Sequence, residues 1–92
     1  MEEKTSEILK ALAHPVRLKI VKQLYDGPIC VCHINSNIEY SQANVSKHLK
    51  ILKSAKIVEG TKEGMFRYYK LKNEKIKDLI KLAEDIVLEG ET

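Results

Sequence analysis

Four segments of the chain space their apolar residues as helices do, whereas Met65 to Leu71 alternates as a strand does. Ile8, Leu9 and Leu12 form the first helical stripe, with Thr5 and Ser6 suited to cap it and an end expected near His14. Pro15 fits the first turn of a second helix, where its missing N–H is not needed; Val16, Ile20, Val21 and Leu24 make its buried side, and Gly27-Pro28 stops it. Ile29 to Ile34 suits either a short strand or the entry to a helix reaching about Asn37, and periodicity does not decide between them. Ile57 and Val58 open an extended segment, and Lys62-Glu63-Gly64 reads as a hairpin turn. The return strand sets Phe66, Tyr68 and Lys70 on one face and Arg67, Tyr69 and Leu71 on the other. Asn73 caps a last helix whose stripe is Ile76, Leu79, Ile80, Ala83, Ile86 and Val87, ending at Gly90. The expected fold is mainly α with a small β-hairpin, in one domain over residues 1–92.

With no Trp and one Phe, the core must be aliphatic, and a chain of 92 residues with such a core is expected to complete its burial against a partner subunit. No apolar run approaches the ~20 residues that span a bilayer, and Met-Glu-Glu-Lys lacks a signal peptide's layout, so a cytoplasmic protein without membrane contact is expected. Cys30-Val31-Cys32 is too small a set for a disulfide scaffold.

Charge is distributed unevenly. Residues 1 to 40 balance, residues 71 to 92 are acidic, and residues 41 to 70 carry seven basic side chains (Lys47, Lys50, Lys53, Lys56, Lys62, Arg67, Lys70) against Glu59 and Glu63. A basic middle third attracts phosphates, although a solvated basic face fits the charge alone equally well. The helix in this third is well marked: Ser41 is a good N-cap, and Tyr40 with Val45 suits a hydrophobic staple. Val45, Leu49 and Leu52 form its apolar stripe, and the opposite face holds Ala43, Ser46, Lys47, Lys50 and Ser54, with Gln42 beside it in the first turn.

This order of elements resembles a winged helix-turn-helix. A helix packed by Val45, Leu49 and Leu52 can enter a DNA major groove if its outer side chains are small, as Ala43 and Ser46 are. Gln42 can pair with adenine, Ser46 with either base type, and Lys47 and Lys50 with guanine edges or phosphates; Lys62 and Arg67 on the wing then lie near a minor groove, with Thr61 as a weaker contact.

Three stretches, Ala11 to Ile20 with its His14-Pro15-Val16-Arg17, Cys30-Val31-Cys32, and Ser41 to Leu52 with its Val45-Ser46-Lys47-His48-Leu49, together with Gly64 to Leu71, resemble the ArsR/SmtB family of prokaryotic repressors over nearly the whole chain. The resemblance implies a homodimer that represses transcription from an inverted repeat in a double-stranded DNA operator and is released by a metal ion or another chemical inducer. It also implies a dimer built from the first and last helices through Ile8, Leu9, Leu12, Leu79, Ile80, Ala83, Ile86 and Val87. Family turns usually carry Gly before the cap of the recognition helix; this chain has Glu39.

In arsenic- and cadmium-sensing relatives a Cys-Val-Cys at this place supplies two thiolates, which makes Cys30 and Cys32 candidate metal ligands for As(III), Sb(III), Cd(II) or another soft inducer. The other ligands of those relatives are missing: Asn35 stands where the arsenic type has a third cysteine, and residues 1 to 29 contain none. A complete site would have to borrow His33, a carboxylate, a small thiol or the other subunit. The zinc-sensing pattern of the last helix is absent, since the histidines are His14, His33 and His48. Redox or persulfide sensing, and inert burial, are the other readings of the two thiols.

His14 reads as a helix-start residue, His48 as a hydrogen-bonded structural histidine, and Arg17 as a framework arginine bonded to backbone or carboxylate. No cofactor is required. No Gly-rich loop or catalytic base cluster accompanies the cysteines, so no enzyme is expected. A winged helix that binds only protein remains the alternative to a DNA-binding one.

Overall fold

The computed structural model describes residues 1–36 and 42–91, with the backbone alone at Gln42. Its helices are α1 (Glu2–Leu12), α2 (Pro15–Gln23), α3 (Val31–Ser36), α4 (Gln42–Ser54) and α5 (Lys75–Gly90), and its strands are β1 (Ile29–Cys30), β2 (Val58–Glu63) and β3 (Phe66–Leu71). The sheet is antiparallel in the order β1-β3-β2, so the expected two-stranded hairpin gains a third, two-residue strand. Both readings of Ile29 to Ile34 hold in part: the segment is extended through Cys30, then turns directly into α3.

Val16, Ile20 and Val21 of α2 with Leu24 just after it, Ile34 of α3, Val45, Leu49 and Leu52 of α4, and Val58, Tyr69 and Leu71 of the sheet are buried in one core. At roughly 1.5–3 kcal/mol for each fully buried aliphatic side chain, this shared core outweighs any surface contact in holding the elements together. Tyr69 takes the packing role that a hairpin tyrosine suggests. It faces Gly60 across β2 and β3, where a Cβ would meet its ring at 3.1 Å, so the glycine makes room for the ring.

Several boundaries differ from the sequence reading. α1 starts at Glu2, not after Thr5 and Ser6: two acidic residues favour the helix N-terminus, and the Thr5 hydroxyl donates to the Met1 carbonyl at 3.0 Å from within the helix. The wing turn is Gly64-Met65, because Lys62 and Glu63 are already paired with Arg67 and Phe66. Gly64 has φ 62 while Met65 does not cross to positive φ, as a two-residue turn with glycine first requires. α5 has Glu74, not Asn73, at its N-cap position; Asn73 lies one residue earlier, where its Oδ1 accepts from the Lys75 N–H at 2.9 Å. Ser41, Tyr40 and Glu39 lie outside the described residues.

α4 ends without glycine. Lys56 sits at φ 62, its N–H donating to the Lys53 carbonyl at 3.0 Å, and the Ile57 N–H donates to the Leu52 carbonyl at 3.0 Å. These are the two bonds of a Schellman cap, and buried Ile57 and Leu52 supply its apolar contact. A lysine there holds a left-handed backbone that glycine adopts freely. Lys56→Gly is expected to raise unfolding stability by about 0.5–1 kcal/mol in urea titration, despite the lost side chain; a loss of stability would contradict this account of the helix end.

α5 is buried only near its start. Ile76 and Ile80 enter the core and Leu79 packs partly against it, while Lys22 pairs with Glu84 and the Lys77 ammonium lies 5.8 Å above the Tyr25 ring. Beyond that, Leu82, Ala83, Ile86, Val87 and Leu88 are exposed, as is Leu9 of α1, while Ile8 is half-buried. Leu12 and Ile80, expected between two copies, are buried at 5% and 4% exposure within the chain's own core. Their stripes face inward at those turns, which leaves them little surface for a partner.

Candidate nucleic-acid interface

The core fixes α4 along one side. Val45, Leu49 and Leu52 are at most 2% exposed, and the 100° step between residues then puts Ala43, Ser46, Lys47, Lys50, Lys53 and Ser54 in solvent. Ala43 and Ser46 are short enough for a surface to approach the helix backbone closely. Gln42 begins the helix, and its side chain lies outside the described residues.

A polar brace sets the tilt of α4. Arg17 Nε donates to His48 Nδ1 at 3.2 Å, and its Nη1 donates to the carbonyls of Lys10 at 3.3 Å and Ala11 at 3.2 Å. One guanidinium thus joins the end of α1 to α4, as a framework arginine should. His14 caps α2, its Nδ1 accepting from the Val16 N–H at 3.1 Å, and its ring lies 4.5 Å from that of His48. Burial, reinforced by His14, Arg17 and Lys47, pushes the His48 imidazole below the ordinary histidine range. The neutral ring keeps Nδ1 available as the acceptor that Arg17 needs.

The wing adds cations to the same side. Arg67 lines an open groove with Ser46, Lys50, Lys53 and Tyr69, between α4 and the sheet. Lys62 stands opposite Arg67 in the strand register and shares its face of the hairpin. Lys70 is on the other face, paired with Glu59 at 3.3 Å. The sequence reading missed Lys53, although Ser46, Lys50 and Lys53 follow the i, i+4, i+7 spacing of one helix side.

Cys30 is buried opposite Tyr68 at the sheet edge, and Cys32 is exposed in the first turn of α3. Their Sγ atoms are 2.8 Å apart. The hydrogen bond from the Cys32 thiol lowers the Cys30 thiol from its ordinary value, helped by the backbone N–H groups of Cys32 and His33, and the same contact raises Cys32. Both cysteines line a groove with Asn35, Ser36, Met65, Phe66 and Arg67, so Arg67 borders the thiol groove as well as the α4 groove. Among the described residues no group of three or more His, Cys, Asp or Glu side chains is placed to hold a metal ion. The described donors of one chain therefore do not make up the three-thiolate site of a metalloid or the four-ligand site of Cd(II) or Zn(II). Among the described residues, no helix is long and apolar enough to cross a membrane.

The profile of a family described as "Bacterial regulatory protein, arsR family" matches residues 14–59, which span the second helix, the thiol segment, α4 and the start of the wing. An uncharacterised HTH-type transcriptional regulator of Methanocaldococcus jannaschii is 41% identical over 85 residues, covering 91% of this chain and 96% of that protein. The arsenical resistance operon repressor of Bacillus subtilis is 36% identical over 88 residues, covering 87% and 84%. Among solved structures, the homodimeric winged helix-turn-helix DNA-binding domain of a possible ArsR-family regulator from Mycobacterium bovis superposes with a TM-score of 0.84 at 30% identity, covering 96% of this chain and 82% of that one. These relatives are regulators and not enzymes. Matched by the profile over half its length and by the archaeal regulator over nearly all of it, the chain belongs to the arsR family of bacterial regulatory proteins, as a transcriptional repressor with a DNA-binding winged helix.

Proposed function

We propose that two copies of this single-domain chain repress transcription in the cytoplasm by binding an inverted repeat, one α4 in each of two successive major grooves. Gln42, Ala43 and Ser46 meet base edges, Lys47 and Lys50 reach guanine edges or phosphates, and Lys62 and Arg67 hold the flanking backbone. The observation that carries this reading is the groove shared by α4 and the wing, where Ser46, Lys50, Lys53 and Arg67 converge. The apolar residues left exposed or half-buried on α1 and α5 fit a dimer contact made by Ile8, Leu9, Leu79, Ala83, Ile86 and Val87, with Leu12 and Ile80 supporting them from within.

Release is assigned to a soft inducer acting at Cys30 and Cys32, a reading supported by the arsenical resistance repressor among the relatives. The 2.8 Å separation of the two Sγ atoms also favours a second reading, a thiol-reactive or persulfide inducer. Release of promoter DNA by As(III), Sb(III), Cd(II) or Cu(I) under reducing conditions supports the first, and release by oxidants alone supports the second. An unresponsive protein refutes both.

The DNA contacts are separable by titration. Ser46→Ala is expected to cost about 1–3 kcal/mol on the cognate operator and to relax base preference at one position. Lys62→Ala should weaken binding to all sequences alike and flatten the salt dependence by about one unit of slope. Fluorescence anisotropy against operator and random duplex at several salt concentrations reads both effects. Equal losses on the two duplexes for Ser46→Ala would argue against base recognition, and salt-insensitive binding would favour a protein partner.

A further inference from the structure

The thiol groove holds a sulfur-bearing residue, Met65, that neither the DNA contacts nor the core explains. Met65 is the second residue of the wing turn and is 95% exposed, an apolar side chain left in solvent. The strand register accounts for its position. Cys30 pairs with Tyr68, and as the chain runs on through Val31 to Cys32, β3 runs back through Arg67 to Phe66 and the turn. The second cysteine and the wing tip therefore meet along one edge, and Cys30, Cys32 and Met65 line the same groove. Asn35 Oδ1, which lines it too, is buried with no hydrogen-bond partner among the described residues.

We propose that Met65 Sδ joins Cys30 Sγ and Cys32 Sγ in a three-sulfur site for a monovalent thiophilic cation, Cu(I) or Ag(I). This rests on the reading of the cysteine pair as the inducer site and names the class of inducer. The donor set makes the selection. Thiolate and thioether sulfur suit Cu(I). A thioether has no proton to lose and cannot supply the third thiolate of a metalloid, and three donors fall short of the tetrahedral set that Zn(II) prefers. On binding, both thiols release their protons to solvent, two S–metal bonds form from the thiolates, and the thioether donates a lone pair for the third. Two thiolates and one monovalent cation leave a net charge of −1 beside the Arg67 guanidinium. Loading the site thus draws Met65 and Arg67, two residues apart where the turn enters β3, toward α3, and takes Arg67 from the groove it shares with Ser46, Lys50 and Lys53.

The test is anaerobic titration of the full chain, reduced, with Cu(I) against a competing Cu(I) chelator, beside a parallel titration with Cd(II). Met65→Leu keeps the bulk and removes the sulfur at an exposed position, so folding is not at stake. It is expected to lower Cu(I) affinity at least about tenfold, the scale on which even outer-shell partners act, and to leave Cd(II) affinity unchanged. X-ray absorption is expected to count three sulfur neighbours around copper in the parent protein and two in the variant. Equal Cu(I) affinity in parent and variant, or two sulfur neighbours in both, overturns the role of Met65. If Cys30→Ser and Cys32→Ser also bind Cu(I) as the parent does, the inducer reading of the cysteines falls with it, which separates the two failures.

Discussion

Ile86→Glu is expected to leave the chain folded but single, and to weaken its hold on a two-half-site operator by about two to four orders of magnitude. Ile86 is 69% exposed in the isolated chain, in line with Leu82 and beside Val87, so a carboxylate there meets water unless a second chain covers the stripe. In a pair, the two-fold arrangement would bring two carboxylates into one apolar seam, each desolvated and unpaired. Losing the pair removes the advantage by which one engaged α4 raises the effective concentration of the other. Sedimentation equilibrium reads the association and gel shift on whole and half operators reads the binding. A variant that stays dimeric, or a monomer that holds the whole operator as tightly, would remove α5 from the proposed interface.

The second large effect concerns the helix that reads. Leu52→Ala is expected to cost about 2–5 kcal/mol, a substantial part of the ~5–15 kcal/mol typical of a domain. Leu52 is fully buried, and it supplies both the last core contact of α4 and the carbonyl that accepts from Ile57 at the Schellman cap. Truncation leaves a cavity under the face that carries Lys50 and Lys53. Urea unfolding checks the magnitude. A loss below about 1 kcal/mol would mean that neighbouring side chains collapse into the space.

The sequence showed most where local chemistry decides the outcome. Pro15 and Gly27 bracket α2, and the four residues of its expected stripe, Val16, Ile20, Val21 and the following Leu24, all reach the core. The outer face of α4 could be read because three buried residues at helical spacing leave the opposite side no choice. The start of α1 was misread because Thr5 has a cap's side chain but Glu2 and Glu3 have the charge that an N-terminus favours. The end of α4 was hidden because Lys56 adopts a backbone that usually advertises itself as glycine. The shared groove was beyond reach from sequence, since Ser46, Lys50 and Lys53 on one wall and Arg67 on the other belong to separate elements whose meeting depends on how the hairpin docks. Met65 beside the cysteines is a clearer case: nothing in its local sequence marks it, and only the β1–β3 register brings the wing tip to α3.

Arg17 spans the last turn of α1 and the middle of α4 with three hydrogen bonds. In the dimer proposed above, with α1 at the subunit contact, that linkage would gear the two reading heads to a common frame and leave little play between them. A duplex with one base pair inserted at its centre offers its second half turned and displaced by a single step, and a pair so linked is expected to hold it more weakly than the parent operator.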